Sequence, residues 1–148
     1  MIIQSYPPAI VTDLKVLREK SSTVTLEQAE ETIKILEDTF NKLSNTHKLG
    51  LSAIQIGRHE QVAIIRMPGE DLNLINPKIL DRQEKILFSE ACLSLPGLGI
   101  VTDRYHQITL DNNGQILELT GLKAVAVQHE VDHMNGLTIL DRKHRKKR

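Results

Sequence analysis

The hydrophobic positions change period along the chain, and the changes divide it into regions. From Thr25 onward Leu26, Ala29, Ile33, Leu36, Phe40 and Leu43 recur at three- and four-residue steps, while Glu27, Glu30, Glu31, Lys34, Glu37 and Asp38 fill the positions between. Residues three and four apart share a helix face, so this spacing predicts an amphipathic helix of about five turns. Thr25 and Gln28 have the spacing of a capping box, which sets its start; its end is expected near His47, with Gly50 beyond. Residues 1–24 show no period, and Pro7-Pro8 blocks regular structure, so this part reads as an irregular lead-in.

Past Gly50 the period shortens. Val62–Arg66, Leu72–Ile75, Ile79–Asp81 and Ile86–Ser89 are short β-branched or apolar runs separated by the turn signals Pro68-Gly69 and Asn76-Pro77. Ile108–Leu110 and Ile116–Leu119 flank Asp111-Asn112-Asn113-Gly114, a hairpin whose Asn113-Gly114 suits positive φ. From Leu122 the helical period returns: Leu122, Val125, Ala126, His129 and His133 share a face. Thr120 is expected to cap this helix and Gly136 to close it. The fold class expected is α+β: short antiparallel or mixed strands packed around a central histidine-bearing helix, with an N-terminal amphipathic helix.

Composition narrows the function. A chain of 148 residues is one domain's worth. With 3% aromatics and no Trp the core is aliphatic, and platforms for stacking single-stranded bases are not expected. One cysteine, Cys92, forms no internal disulfide. The first residues lack the basic and apolar regions of a signal peptide, and no run approaches the ~20 apolar residues of a membrane span. A cytoplasmic protein is expected, with no membrane partner and no sequence-specific nucleic-acid contact. The net charge is zero, yet Arg142, Lys143, Arg145, Lys146, Lys147 and Arg148 hold six of the 19 basic residues. An acidic body, residues 1–141, thus carries a basic tail, residues 142–148.

The chemistry lies in the second helix. His129-Glu130-Val131-Asp132-His133 is H-E-x-x-H, and on a helix positions i and i+4 project side by side, so two imidazoles can bind one metal ion. Glu130 lies about 100° around the helix from His129, within reach of a metal's open side. A catalytic site of the zinc type needs a third protein ligand. Downstream the candidates are only Asp141 and His144, in a short basic segment, so the third ligand is expected upstream, with Cys92 the first candidate. A lone cysteine is as readily an inert buried hydrophobe, and its neighbourhood decides.

Cys92 sits in Glu90-Ala91-Cys92-Leu93-Ser94, and upstream stands Gly50-Leu51-Ser52-Ala53-Ile54-Gln55. Together with Gln128-His129-Glu130-Val131-Asp132-His133, these segments resemble the three signature motifs of the peptide deformylase family, G-φ-G-φ-A-A-x-Q, E-G-C-L-S and Q-H-E-x-D-H. The likeness runs from Thr25 to Asp141. The chain departs from the pattern at Lys48 and Ala91, where the family carries glycine, and at Ser52, where it carries alanine. Its short end resembles truncated deformylases such as those of phages.

The resemblance implies a single deformylase-like catalytic domain over residues 1–141. Cys92, His129 and His133 would hold one divalent metal, Fe(II) in cells, with Zn, Ni or Co accepted. It implies an N-formyl-methionyl nascent peptide as substrate and formate as a product. Glu130 would be the general base and acid, with Gln55 and the backbone N–H of Leu93 stabilising an oxyanion. Leu49, Gly50, Phe88, Leu122, Val125 and Ala126 are expected around the methionine side chain. Asp132 is expected to orient an imidazole or nearby backbone, and Glu90 to pair with a cation such as Arg104. His47, His59, His106 and His144 read as solvated, and Asp71, Asp103 and Asp111 as turn or surface residues. The basic tail is either a solvated end or a weak, salt-sensitive contact with the ribosome. Three other readings compete: an H-E-x-x-H metallopeptidase, a catalytically silent homologue that only binds, and a structural zinc domain.

Overall fold

The computed structural model describes residues 6–44 and 48–145. A single-turn helix α1 (Leu14–Leu17) interrupts the lead-in and is followed by α2 (Leu26–Lys42). Thr25 caps α2: its hydroxyl accepts from the Gln28 N–H at 3.2 Å, and the Gln28 side chain accepts from the Thr25 N–H at 3.0 Å. Ala29, Ile33, Leu36 and Phe40 are buried, whereas Leu26, in the first turn, is exposed. The helix stops at Lys42, short of the expected His47, which lies outside the described residues. Leu43 turns to extended backbone, and Lys48 Nζ donates to the carbonyls of Phe40 and Leu43. The lysine thereby adds a donor to two carbonyls at the helix end, of which Phe40's also accepts from the Leu43 N–H at 3.2 Å.

Strands β1 (Gly50–Ser52), β2 (Val62–Ile65) and β3 (Leu72–Ile75) form an antiparallel sheet in that order. All four residues of β2 are buried. Val62 and Ile64 join the core cluster around α2, while Ala63 and Ile65 join the one around the second long helix, α3 (Gly121–Met134). A strand covered on both faces reads as a continuous apolar run.

The second sheet corrects the expectation of short strands. The runs at 79–81 and 86–89 belong to one strand, β4 (Pro77–Cys92), paired with β5 (Leu95–Asn112), which pairs in turn with β6 (Gln115–Thr120). Between the apolar runs Arg82, Gln83, Glu84 and Lys85 are exposed, so the ladder continues where no hydrophobic signal marks it. Asn113 and Gly114 turn the β5–β6 hairpin with φ of 51° and 92°.

Helix α3 is buried almost all round, from Ala124 to Met134, as befits a helix between two sheets. Thr120 makes no side-chain cap bond; Gly121, with φ 66°, opens the helix instead. Gly136 closes it with φ 76°, and a Cβ there would lie 2.4 Å from the Arg18 carbonyl oxygen, so both backbone angle and close approach require glycine. A 3₁₀ turn, Ile139–Arg142, follows. The first residues of the basic segment lie against β5: Lys143 bridges Thr102, and the His144 N–H donates to the Val101 carbonyl at 2.9 Å. No helix among the described residues is long and apolar enough to cross a membrane.

Candidate metal centre and active site

Three elements converge on one point. Cys92 ends β4, just before the two-residue turn Leu93-Ser94, while His129 and His133 are one turn apart on α3. The two Nε2 atoms are 3.2 Å apart, and Cys92 Sγ is 3.4 Å from His133 Nε2. All three ligand atoms lie within 4.8 Å of one another, and Cys92 and His133 are buried. Two imidazole nitrogens and a thiol sulfur turned on one point form a donor set for a divalent transition metal. Sulfur and nitrogen ligands suit zinc or iron, and three of them leave a coordination position free. The residues present therefore fit a metal.

Surrounding charges set the tautomers. Glu90 Oε1 is 2.8 Å from His129 Nδ1. A carboxylate there holds the proton on Nδ1 and leaves Nε2 turned toward Cys92 and His133. Glu90 is itself buried, and burial opposes its charge. The bonds from His129 and Arg104 outweigh that and hold its carboxyl down to about 2. Burial and the neighbouring His129 and Arg104 push His133 well below the usual imidazole range, toward the neutral form a metal requires. For His129 burial also opposes charge, but hydrogen bonds with Cys92 and Glu90 raise it in the metal-free protein.

Glu130 is 2% exposed, and its Oε2 has no hydrogen-bond partner among the described residues. Burial is the main cause that lifts its carboxyl to about 7. Its Oε1 stands 3.9 Å from His129 Nε2. A carboxyl oxygen left free beside the ligand cluster, titrating near neutrality, is suited to taking and returning a proton. Gly50 makes room for it: a Cβ there would meet Glu130 Oε2 at 3.3 Å and the Ile64 carbonyl at 2.6 Å.

Gln55 sits in the 3₁₀ turn Ala53–Ile56 and is buried. Its carbonyl oxygen accepts from the Ser52 N–H at 2.9 Å, which turns the amide NH₂ toward Ser94 Oγ at 3.1 Å and Cys92 Sγ at 3.7 Å. A cavity of about 940 Å³ opens onto this group. Leu49, Gly50, Phe88, Leu122, Val125 and Ala126 all line it, as do Gln55, Cys92, Leu93, His129 and Glu130. Apolar walls with a few polar groups at one end suit a side chain joined to a reacting amide.

Arg104 is 2% exposed and bidentate to Glu90, at 2.5 and 3.1 Å, the pairing expected of these two residues. Other supporting residues differ from expectation. Asp132 touches no imidazole; it accepts from Arg104 and from Arg142. Ser94, Thr102, which donates to Glu90, and Arg142 were not anticipated. The missed signal for Thr102 is an alternation: Ile100, Thr102 and Arg104 all point inward from β5, and a period-two reading of 100–104 places Thr102 on the same inner face as Arg104. His144 lies 2.8 Å from Asp103 and His59 2.9 Å from Glu19, so neither is only solvated. Ala91 lies in the ladder opposite Gly99, just before the register shifts at Cys92, and it takes no positive φ, so alanine is accepted there.

The family described as polypeptide deformylase matches residues 7–148. The chain belongs to that family. A peptide deformylase of Helicobacter hepaticus is 33% identical over 96% of the chain and 82% of its own length. That of Aquifex aeolicus is 37% identical over 76% of the chain and 73% of its own length. Among solved structures, a Synechococcus elongatus peptide deformylase in complex with actinonin matches with TM-score 0.82 and 30% identity, over 99% of this chain and 86% of its own. The Thermotoga maritima enzyme gives 0.80 and 29%, over 97% of this chain and all of its own. The chain is thus an enzyme of the peptide deformylase kind, with the α+β fold of two three-stranded antiparallel sheets.

Proposed function

We propose that this chain removes the formyl group from the N-terminal formyl-methionine of nascent polypeptides and releases formate. The observation that carries this reading is the convergence of Cys92, His129 and His133 beside an unpartnered Glu130 oxygen, at the polar end of an apolar cavity. A divalent ion held by the three ligands would supply electrophilic assistance and make water a nucleophile at neutral pH. Fe(II) is the ion favoured, with Zn, Ni or Co as substitutes. Glu130 Oε2 accepts the proton of the attacking water and returns it to the departing amine. The Gln55 NH₂ and the Leu93 N–H donate to the formyl oxygen as it gains charge. Leu49, Phe88, Leu122, Val125 and Ala126 bind the methionine side chain, and Gly50 keeps the wall thin beside Glu130. The proposed location is the cytoplasm of a bacterial-type cell, and the basic residues 142–148 are proposed to add a weak ribosome contact.

The metallopeptidase reading shares Glu130 and both histidines. An assay of the metal-loaded protein separates the two: formate should appear from formyl-Met peptides while internal peptide bonds stay intact. Cleavage of internal bonds without formate would overturn the proposal. A fully metallated protein that does neither would establish the silent homologue.

A further inference from the structure

We infer that Arg142 is a positioning residue for the metal centre, acting through a chain of alternating charges that joins the segment 141–144 to His129. This rests on the reading of Cys92, His129 and His133 as metal ligands. The Arg142 Nε donates to Asp132 Oδ2 at 3.0 Å and its Nη2 to Oδ1 at 2.8 Å, a two-pronged pair. Asp132 Oδ2 also accepts from Arg104 Nη1 at 2.5 Å. Arg104 forks onto Glu90, and Glu90 holds His129 Nδ1. The order is Arg142, Asp132, Arg104, Glu90, His129. The middle three are each 7% exposed or less.

Charge balance makes Arg142 necessary. Glu90 and Asp132 are two buried carboxylates, and Arg104 supplies one positive charge between them. Among the described residues Arg142 is the cation from outside α3 and β5 that makes the set neutral. Without it Asp132 keeps a charge that burial penalises, and of its two described cationic partners Arg104 is the one left to answer it. Any movement of Arg104 toward Asp132 loosens its fork on Glu90, and with it the bond that orients His129. Groups that hold metal ligands from outside typically contribute 10–100-fold in affinity. The segment is anchored on both sides of Arg142: Asp141 takes Arg18 at 3.1 Å, and His144 is tied to Val101 and Asp103. Arg142 is therefore held by the fold rather than drawn in by Asp132 alone.

The test uses full-length protein loaded with cobalt(II) and measures the rate of its release to excess chelator, with the cobalt absorption spectrum as the second readout. Arg142→Gln should speed release about tenfold, the low end of the range for such supporting groups, and shift the spectrum. Adding Asp132→Asn removes the uncompensated carboxylate and should restore most of the retention. Lys143→Ala, a neighbour outside the charge chain, should release cobalt at the wild-type rate. Wild-type release and spectrum in Arg142→Gln would overturn the inference, even with a lowered melting temperature. So would a double variant as leaky as the single one. A wild-type protein that holds no cobalt would overturn the metal reading itself, and this inference with it.

Discussion

The two faces of β2 border two different interiors. On one side α2 packs Ala29, Ile33, Leu36 and Phe40 onto Leu51, Val62 and Ile64, and the buried groups are nearly all aliphatic. Beyond the other side, where α3 meets β4 and β5, lie Glu90, Arg104, Glu130, Asp132 and His133; every buried charged or imidazole side chain among the described residues is in this half. The first interior gains from area removed from water, which is non-directional and tolerates exchange of similar shapes. The second holds charges that are stable only while each keeps its particular partner. One half supplies cohesion, and the other holds buried charges in place against the cost of their desolvation.

The largest effect should follow from breaking the ligand set. Cys92→Ala leaves two imidazoles, which bind a divalent ion far more weakly than three ligands. Bound metal and formate release should disappear together in the purified variant, while the α2 half stays folded by circular dichroism. Glu130→Gln comes next. It keeps the side chain's shape and removes its capacity to take a proton. Metal content should stay stoichiometric while kcat falls by about 10²–10⁴, the usual contribution of a positioned base.

How much of each half was legible follows from the same contrast. The period of α2 and the apolar run of β2 could be read directly, because burial on a regular element prints a regular pattern. The H-E-x-x-H helix, with Cys92 as the first candidate for a third ligand, could be read from spacing; Gln55 and the cavity residues came with the family resemblance, and the fold brings them together. In the polar scaffold between them, Glu90 and Arg104 were named only through the family resemblance. Thr102 was not, because it lies on a strand whose apolar run is broken by polar residues. Arg142 was hidden in a basic run that composition alone describes as a solvated tail. The length of the β4–β5 hairpin was missed for a related reason: its pairing is carried by backbone bonds through exposed positions 82–85.

Arg104→Met sharpens the comparison. It leaves Glu90 and Asp132 buried with one fewer cation and should cost about 3–5 kcal/mol, as removal of one partner from a buried pair does. Chemical denaturation of the metal-free variant reads this directly. The metal-free wild type should also show a pH signature confined to the polar half. The Glu130 carboxyl stands at about 7 in the folded protein, well above its ordinary value of 4.5. The folded state therefore holds this proton more tightly than the unfolded chain. Its contribution is fully present below pH 4.5 and is lost as pH rises toward 7. At 1.36 kcal/mol per unit the loss is roughly 3 kcal/mol. Metal-free Glu130→Gln lacks the group, so it should match the wild type near pH 4.5 and exceed it by about that amount at pH 8. Parallel stability curves for the two would show that Glu130 is not carrying a buried charge.

The smallest effect is expected in the aliphatic half, and it tests whether the two interiors are separate. Leu36 is fully buried between α2 and the first sheet. Leu36→Met conserves volume in a region without charges, so the change should cost less than about 1.5 kcal/mol. Among the described residues no hydrogen bond or ion pair joins the Glu90–Arg104–Asp132 set to α2, and β2 stands between the two clusters with its own backbone paired on both sides. Metal content, kcat and KM of the folded Leu36→Met protein should therefore equal those of the wild type within error. A fall in kcat or a loss of metal at unchanged stability would mean that β2 passes small packing changes from one face to the other. The cohesive half would then also be part of the machinery that holds Gly50 against Glu130.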